Sequence, residues 1–234
     1  MPHIPFVRYG ALALCLFSAL AQASGVVPDS SVVIVEAADG EGTINVQNTD
    51  PYPVLLLTTL VPLPQDKAAL LTVTPPAARV EPGKSQSVRF LLTDKTPLST
   101  ERLMRVIFEG VPPQQKDKSE VRMTVRQNLP LIIRPAGLAR DLAPWKRLVW
   151  QRTGNTLKVS NPSPYVVRLG EGVQTLPGNG VWTLPHSYVL PGQILTLTQN
   201  GTKPLGTETQ VRIAPATTWG FSVAHYDAPL TPLP

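Results

Sequence analysis

The sequence predicts an all-β protein made of two β-sandwich domains in tandem, and three observations predict it. The 234 residues exceed one small sandwich and suit two domains of about 100 residues each. Twenty-six prolines are spread along the chain, and a proline inside a helix removes a hydrogen bond and clashes with the preceding turn. Between prolines and glycines lie short runs of Val, Ile, Leu and Thr, the pattern of strands joined by turns. With 42% hydrophobic and 16% charged residues, a packed core is within reach.

Residues 1–23 read as a signal peptide. Arg8 gives a positive start, Ala11 to Ala21 is apolar, and Ala21-Gln22-Ala23 is a small-x-small cleavage site. Cys15, the one cysteine, falls inside this leader, so the exported fold would owe nothing to disulfides. Loss of Arg8 with the leader lowers the formal charge from +5 to +4. That excess suits an acidic partner or a carboxylate and falls short of a nucleic-acid footprint. No later run reaches the ~18 apolar residues of a membrane span, so no membrane insertion is expected.

In the first half, Ser31 to Glu36 is a β-branched run. After the Asp39-Gly40-Glu41-Gly42 turn, Thr43 to Gln47 alternates with period two. Asn48-Thr49-Asp50-Pro51 turns the chain into a strand at Val54 to Leu60. Ala78 to Val80 and Ser87 to Leu92 flank the Glu81-Pro82-Gly83-Lys84 turn as a hairpin. Glu101 to Glu109 is a strand closed by Pro112-Pro113. A charged loop, Gln114 to Glu120, leads into a long strand at Val121 to Ile133. About seven short strands are what an immunoglobulin-like sandwich requires.

Pro135 to Pro144 reads as the connection between domains. Beyond it, strands are expected at Arg147 to Trp150, Thr156 to Ser160 and Val166 to Leu169. Gly170 to Pro191 leaves room for one short strand near Trp182. Ile194 to Thr198, Thr209 to Ile213 and Phe221 to Ala224 complete a second all-β unit.

The chemistry inventory is thin. His186 and His225 stand far apart without metal-ligand spacing, and neither a Gly-x-Ser-x-Gly elbow nor a phosphate loop is present. No catalytic residue, metal site or cofactor is expected. Within the long strand, Val121, Met123 and Val125 alternate with Arg122, Thr124 and Arg126. That parity fits a strand covering its own core, and equally a strand offered to a partner.

Four segments in order resemble one known family, the periplasmic pilus-assembly chaperones of the chaperone–usher pathway. Thr74-Pro75-Pro76 with Arg79-Val80-Glu81-Pro82-Gly83 and Ser87-Val88-Arg89 is similar to its Pro-Pro, Pro-Gly and Arg pattern. Glu101-Arg102-Leu103 through Phe108-Glu109-Gly110-Val111-Pro112-Pro113 resembles its F-strand signature. Leu131-Ile132-Ile133-Arg134-Pro135 resembles the end of its G strand, and Asn161-Pro162-Ser163-Pro164-Tyr165 its second-domain motif.

The resemblance implies two immunoglobulin-like domains, here 24–135 for subunit binding and 136–234 behind it. It implies a non-enzymatic chaperone that lends a β-strand to a pilus subunit and delivers the subunit to an outer-membrane usher. Val121, Met123 and Val125 take the place of the donor residues. The family's two anchor cations are missing, because the matching positions hold Ser31 or Val32, and Pro130. Arg126, and second Arg89, are the nearest replacements, since a guanidinium fork pairs well with a carboxylate. The departures imply a divergent branch.

Glu101 and Arg134 match an interdomain ion network whose third, acidic member is here Thr218, which leaves at most a pair. An apolar donor strand also invites capping by a second copy when unbound. The alternatives are a secreted immunoglobulin-like structural or adhesive module of a surface fibre, or a secreted enzyme on a β scaffold. The short lead into the first strand speaks against a subunit, and the scarcity of titratable candidates against an enzyme.

Overall fold

The computed structural model describes residues 25–94, 96–113, 124–201 and 206–232. Nine strands form the first domain: β1 (Val26–Pro28), β2 (Val33–Glu36), β3 (Glu41–Asn48), β4 (Val54–Val61), β5 (Leu71–Thr74), β6 (Ala77–Val80), β7 (Ser85–Leu92), β8 (Arg102–Val111) and β9 (Arg126–Arg134). They hydrogen-bond in the order β5-β7-β3-β2-β9-β8-β4-β6, with β1 on β3. β2 joins the halves, antiparallel to β3 and parallel to β9.

The halves close on one core. Ile44 and Val46 of β3, and Val88 and Phe90 of β7, meet Leu56 of β4, Phe108 of β8, and Leu131 and Ile133 of β9. Period-two alternation puts these residues inside and their neighbours outside. The β2–β3 approach requires Gly42, where a Cβ would overlap the Ile34 carbonyl oxygen.

The second domain holds eleven described strands. An eight-stranded sheet contains β10 (Val149–Thr153), β11 (Thr156–Ser160), β13 (Gly172–Leu176), β14 (Gly180–Thr183), β16 (Ile194–Thr196), β17 (Thr198–Asn200), β18 (Gln210–Ile213) and β20 (Tyr226–Pro232). A small sheet of β12 (Val167–Leu169), β15 (Tyr188–Val189) and β19 (Pro215–Ala216) completes it. Trp150, Leu157, Trp182, Val211 and Ile213 centre this second core. The molecule is thus two immunoglobulin-like β-sandwiches in tandem.

Several elements depart from the sequence pattern. β1, β5 and β13 are short and lie among turn residues, so pairing with a neighbour rather than periodicity makes them strands. Phe221 to Ala224 is not a strand; the last strand is β20 instead. Pro229 disguises it, yet this proline stands opposite Gln210, before the first rung with β10 at Trp150↔Leu230. Arg147 closes a 3₁₀ turn, Pro144–Arg147, rather than opening a strand.

Both domains use a buried asparagine to hold a proline turn. Asn48 Nδ2 donates to Tyr52 O at 2.9 Å and Val80 O at 3.0 Å. Asn161 Nδ2 donates to Tyr165 O at 2.7 Å and Val189 O at 3.0 Å. One amide supplies the donors that turn carbonyls lack inside a core.

Candidate functional site

β9 is half enclosed and half open. From Leu131 to Arg134 it pairs with β2 on one side (Val33↔Leu131 to Glu36↔Arg134) and with β8 on the other. From Arg126 to Pro130 its ladder is with β8 alone, Glu109↔Arg126 to Arg105↔Pro130. Among the described residues no strand is hydrogen-bonded to the other edge of that half, and β1 lies across a groove from it. A row of unpaired backbone groups is a template for another chain. A groove of about 460 Å³ lies along it, lined by Val27, Pro28, Ser31, Gln127, Asn128 and Leu129.

The expected strand from Val121 to Ile133 is shorter among the described residues, where β9 begins at Arg126 and Thr124 and Val125 lie ahead of it. Val125 is described and exposed, at 47%, one residue ahead of β9. It shares parity with Leu129, Leu131 and Ile133, which face the first core. Val121 and Met123 lie outside the described residues.

Neither expected anchor cation is unoccupied. Arg126 is exposed and its Nε lies 2.9 Å from Glu109 Oε2, its partner across the ladder. Arg89 is exposed on β7 and donates to Glu41. β3 and β2 separate β7 from β9, so Arg89 is not at the open edge. A local carboxylate on each arginine weakens its claim on a ligand's carboxylate.

Glu101 and Arg134 come together, both 3% exposed, with Arg134 Nε 3.3 Å from Glu101 Oε1. The expectation of at most a pair needs correction, because Glu36 at the end of β2 lies 2.9 Å from Arg134 Nη1. Parallel pairing of β2 with β9 sets Glu36 directly beside Arg134. Sequence reading had no means to find this, since strand partnership is invisible in one strand's residues. Arg140, in the connection, reaches Glu36 at 3.4 Å from the exposed side.

The second domain joins the network through its backbone. Val166 N donates to Glu101 Oε2 at 2.9 Å, and Glu101 N donates to Pro164 O at 2.8 Å. The Asn161-Pro162-Ser163-Pro164-Tyr165 segment therefore shapes a loop that grips Glu101. Thr218 lines one small cavity with Glu101 and Arg134 but adds no charge to the network, and its hydroxyl donates to Asp141 O at 3.0 Å. Burial pushes the Glu101 carboxyl up, while Val166 N–H and Arg134 pull it down. An apolar seam flanks the network, with Val32, Leu63, Leu103 and Ile132 of the first domain against Val166 of the second.

Other chemistry is sparse. His186 stacks on Tyr188 with ring centroids 4.0 Å apart, and its Nδ1 is 2.7 Å from Tyr188 O. Among the described residues, no group of three His, Cys, Asp or Glu side chains is placed to hold a metal. No helix among them is long and apolar enough to cross a membrane.

Comparison with known proteins gives consistent matches. Residues 25–139 match the model described as pili and flagellar-assembly chaperone, PapD N-terminal domain. Residues 143–225 match the model for the pili assembly chaperone PapD C-terminal domain. The chain is 42% identical over 205 residues to the uncharacterized fimbrial chaperone YhcA of Escherichia coli K12, covering 87% of this chain and 90% of that protein. It is 31% identical to chaperone protein FimB/FhaD of Bordetella pertussis, over 68% of this chain and 71% of the relative. The structure of the Salmonella enterica SafB chaperone, solved with the SafA pilin, superposes with a TM-score of 0.72 at 25% identity, covering 89% and 98% of the two chains. Both sandwiches, the motif that grips Glu101 and these relatives agree: the chain belongs to the PapD-like family of pilus-assembly chaperones.

Proposed function

We propose that this chaperone binds pilus subunits by laying the strand from Val121 to Val125, continuous with the open edge of β9, into the subunit's unfinished sheet, and hands them to an outer-membrane usher. The carrying observation is that edge: Arg126 to Pro130 pair with β8 alone and lead straight from Val125. Strand addition supplies affinity through main-chain hydrogen bonds and specificity through alternate side chains. The relative crystallised with a pilin, SafB, supports reading the same partner class here.

Residues 1–23 act as the export signal in this reading, 24–135 as the subunit-binding domain and 136–234 as its partner. Family members work in the periplasm. The chemistry is non-enzymatic and uses no cofactor: the borrowed strand completes a fold, and exchange for a neighbouring subunit's strand releases the chaperone. The structural or adhesive module is the weaker reading, because both halves match chaperone domain models.

The test is a tagged pull-down from periplasmic extract of pilus-expressing cells, with mass spectrometry of what is retained. A small pilin-like protein at one-to-one stoichiometry, lost in Met123→Glu, is the expected result. Recovery of that protein undiminished by Met123→Glu would sink strand donation through this segment.

A further inference from the structure

The chain from Pro215 to Val223 folds back on itself as a short hairpin. Ala216 bridges Ser222, and Val223 N donates to Pro215 O at 2.8 Å. Thr217 closes the tip: its N donates to Phe221 O at 2.8 Å, and its Oγ1 accepts from Phe221 N at 3.1 Å. Gly220 turns the chain with φ +88°, a conformation that favours glycine. On either side of it stand two large aromatic side chains, Trp219 and Phe221.

Both meet water. Trp219 is 41% exposed and Phe221 72%, and no large apolar side chain among the described residues is more exposed than Phe221. The other tryptophans, Trp145, Trp150 and Trp182, are buried. Leu142, also exposed, lines one small cavity with Trp219 and extends the apolar surface. Each ring brings ~150–250 Å² of surface, and exposed apolar patches of roughly 300–600 Å² are often functional.

The tip is held from several sides. Thr218 Oγ1 donates to Asp141 O in the connection at 3.0 Å, and Arg168 Nη2 donates to Thr217 O at 2.9 Å. Arg140 stands over the Trp219 ring, its Cζ 5.5 Å from the centroid. A backbone fixed in this way presents both rings at low ordering cost.

The first domain supplies a further contact, and it identifies the occupant. Gly220 packs so closely on Ser31 that a Cβ there would overlap Ser31 Oγ. Ser31 lines the groove along β9 with Asn128 and Leu129. It stands just before Val33, the residue with which β2 takes over the β9 edge at Leu131. The tip therefore sits where the open edge ends. A partner whose strand pairs with Arg126 to Pro130 reaches Trp219 and Phe221 as its chain runs off that end.

We propose that the Trp219–Phe221 hairpin tip is a second docking point for the pilus subunit, contributed by the second domain. Phe221 packs on apolar side chains of the subunit beside the strand that pairs with β9, and Trp219 closes the contact from the connection side. Apolar burial takes over where the hydrogen bonds of the ladder stop, and it ties the second domain to the cargo. This second contact rests on the subunit-binding reading above.

The test repeats the pull-down with the exported chain carrying 5-fluorotryptophan, its Trp219 resonance identified by Trp219→Phe. In the retained complex that resonance should lose its fluorine shift between H2O and D2O; the three buried tryptophans have little to lose. Phe221→Ser should lower recovery about tenfold, and Phe221→Leu should keep most of it, both with the melting midpoint of the unbound protein unchanged. A Trp219 resonance still open to solvent in the complex, or full recovery in Phe221→Ser, overturns the tip.

Loss of recovery in Met123→Glu but not in Phe221→Ser overturns the tip and leaves strand donation standing. Recovery unaffected by Met123→Glu overturns strand donation, and the Trp219 resonance in the retained complex then decides the tip by itself. Two other occupants are read on the unbound chain. Loss of the Trp219 isotope shift on raising its concentration assigns the tip to a second copy, and loss on adding phosphatidylethanolamine–phosphatidylglycerol vesicles assigns it to a lipid surface. Either result overturns the subunit contact.

Discussion

At one domain junction Arg134 is enclosed by Glu36 and Glu101 at 2.9 and 3.3 Å, whereas Arg105 and Arg168 meet only neutral oxygens among the described residues. Arg134 is buried, while Arg105 and Arg168 are half-buried. The difference lies in completeness. Around Arg134, the acids and the Val166 N–H satisfy one another, so the cluster holds the domains and has no room for a ligand. Around Arg105 and Arg168 the partners among the described residues are the neutral oxygens of Asn128 and Thr217.

The largest effect should come from breaking the closed network. Glu101→Ala leaves Arg134 buried with Glu36 alone and strips Val166 N–H of its acceptor, which should cost about 3 kcal/mol or more in urea denaturation. Ile132→Ala, in the apolar seam beside it, should cost about 2–4 kcal/mol by the same measurement. Arg168→Met tests the contrast directly. Removing a half-buried cation that has no acid beside it should change stability by less than about 1 kcal/mol in either direction. A loss as large as that of Glu101→Ala would show that Arg168 is structural and erase the distinction.

Arg126→Ala should have the smallest effect, below about 1 kcal/mol, because its pair with Glu109 is exposed. Subunit recovery should be unchanged as well, and a clear loss would restore Arg126 as an anchor.

Acid titration sharpens the comparison from another side. The raised Glu101 carboxyl binds its proton more tightly in the folded state than in the unfolded one. Its penalty is absent below the ordinary value of 4.5 and grows as pH rises through the folded value. Asp66 has the opposite sign. Its hydrogen bond to Arg102 holds the carboxyl below 3.8, so its stabilisation is present above 3.8 and is lost as pH falls through the lowered folded value. Asp66→Asn should therefore flatten the fall in melting midpoint below pH 3.8. An unchanged slope would remove Asp66 from the acid transition.

Strand positions with a clean period or a proline turn were legible from residues alone: β3, β4, β7, β8, and the Asn161 loop. β20 was not, because Pro229 reads as a breaker and only its place ahead of the β10 rungs makes it tolerable. The family was legible because its motifs are local. Glu101 with Arg134 was legible as a likeness; Glu36 was not.

By itself, then, the sequence determined what short-range chemistry decides: all-β domains, proline and asparagine turns, an apolar alternation at Val121 to Val125, and the absence of cations at Ser31 and Pro130. Tertiary structure alone decided which charges meet. Arg134 finds Glu36 because β2 and β9 run parallel, and Glu101 meets Val166 because two separate sandwiches dock there. Coulomb energy depends on distances through space, and no spacing along one chain encodes the distance between residues 36 and 134.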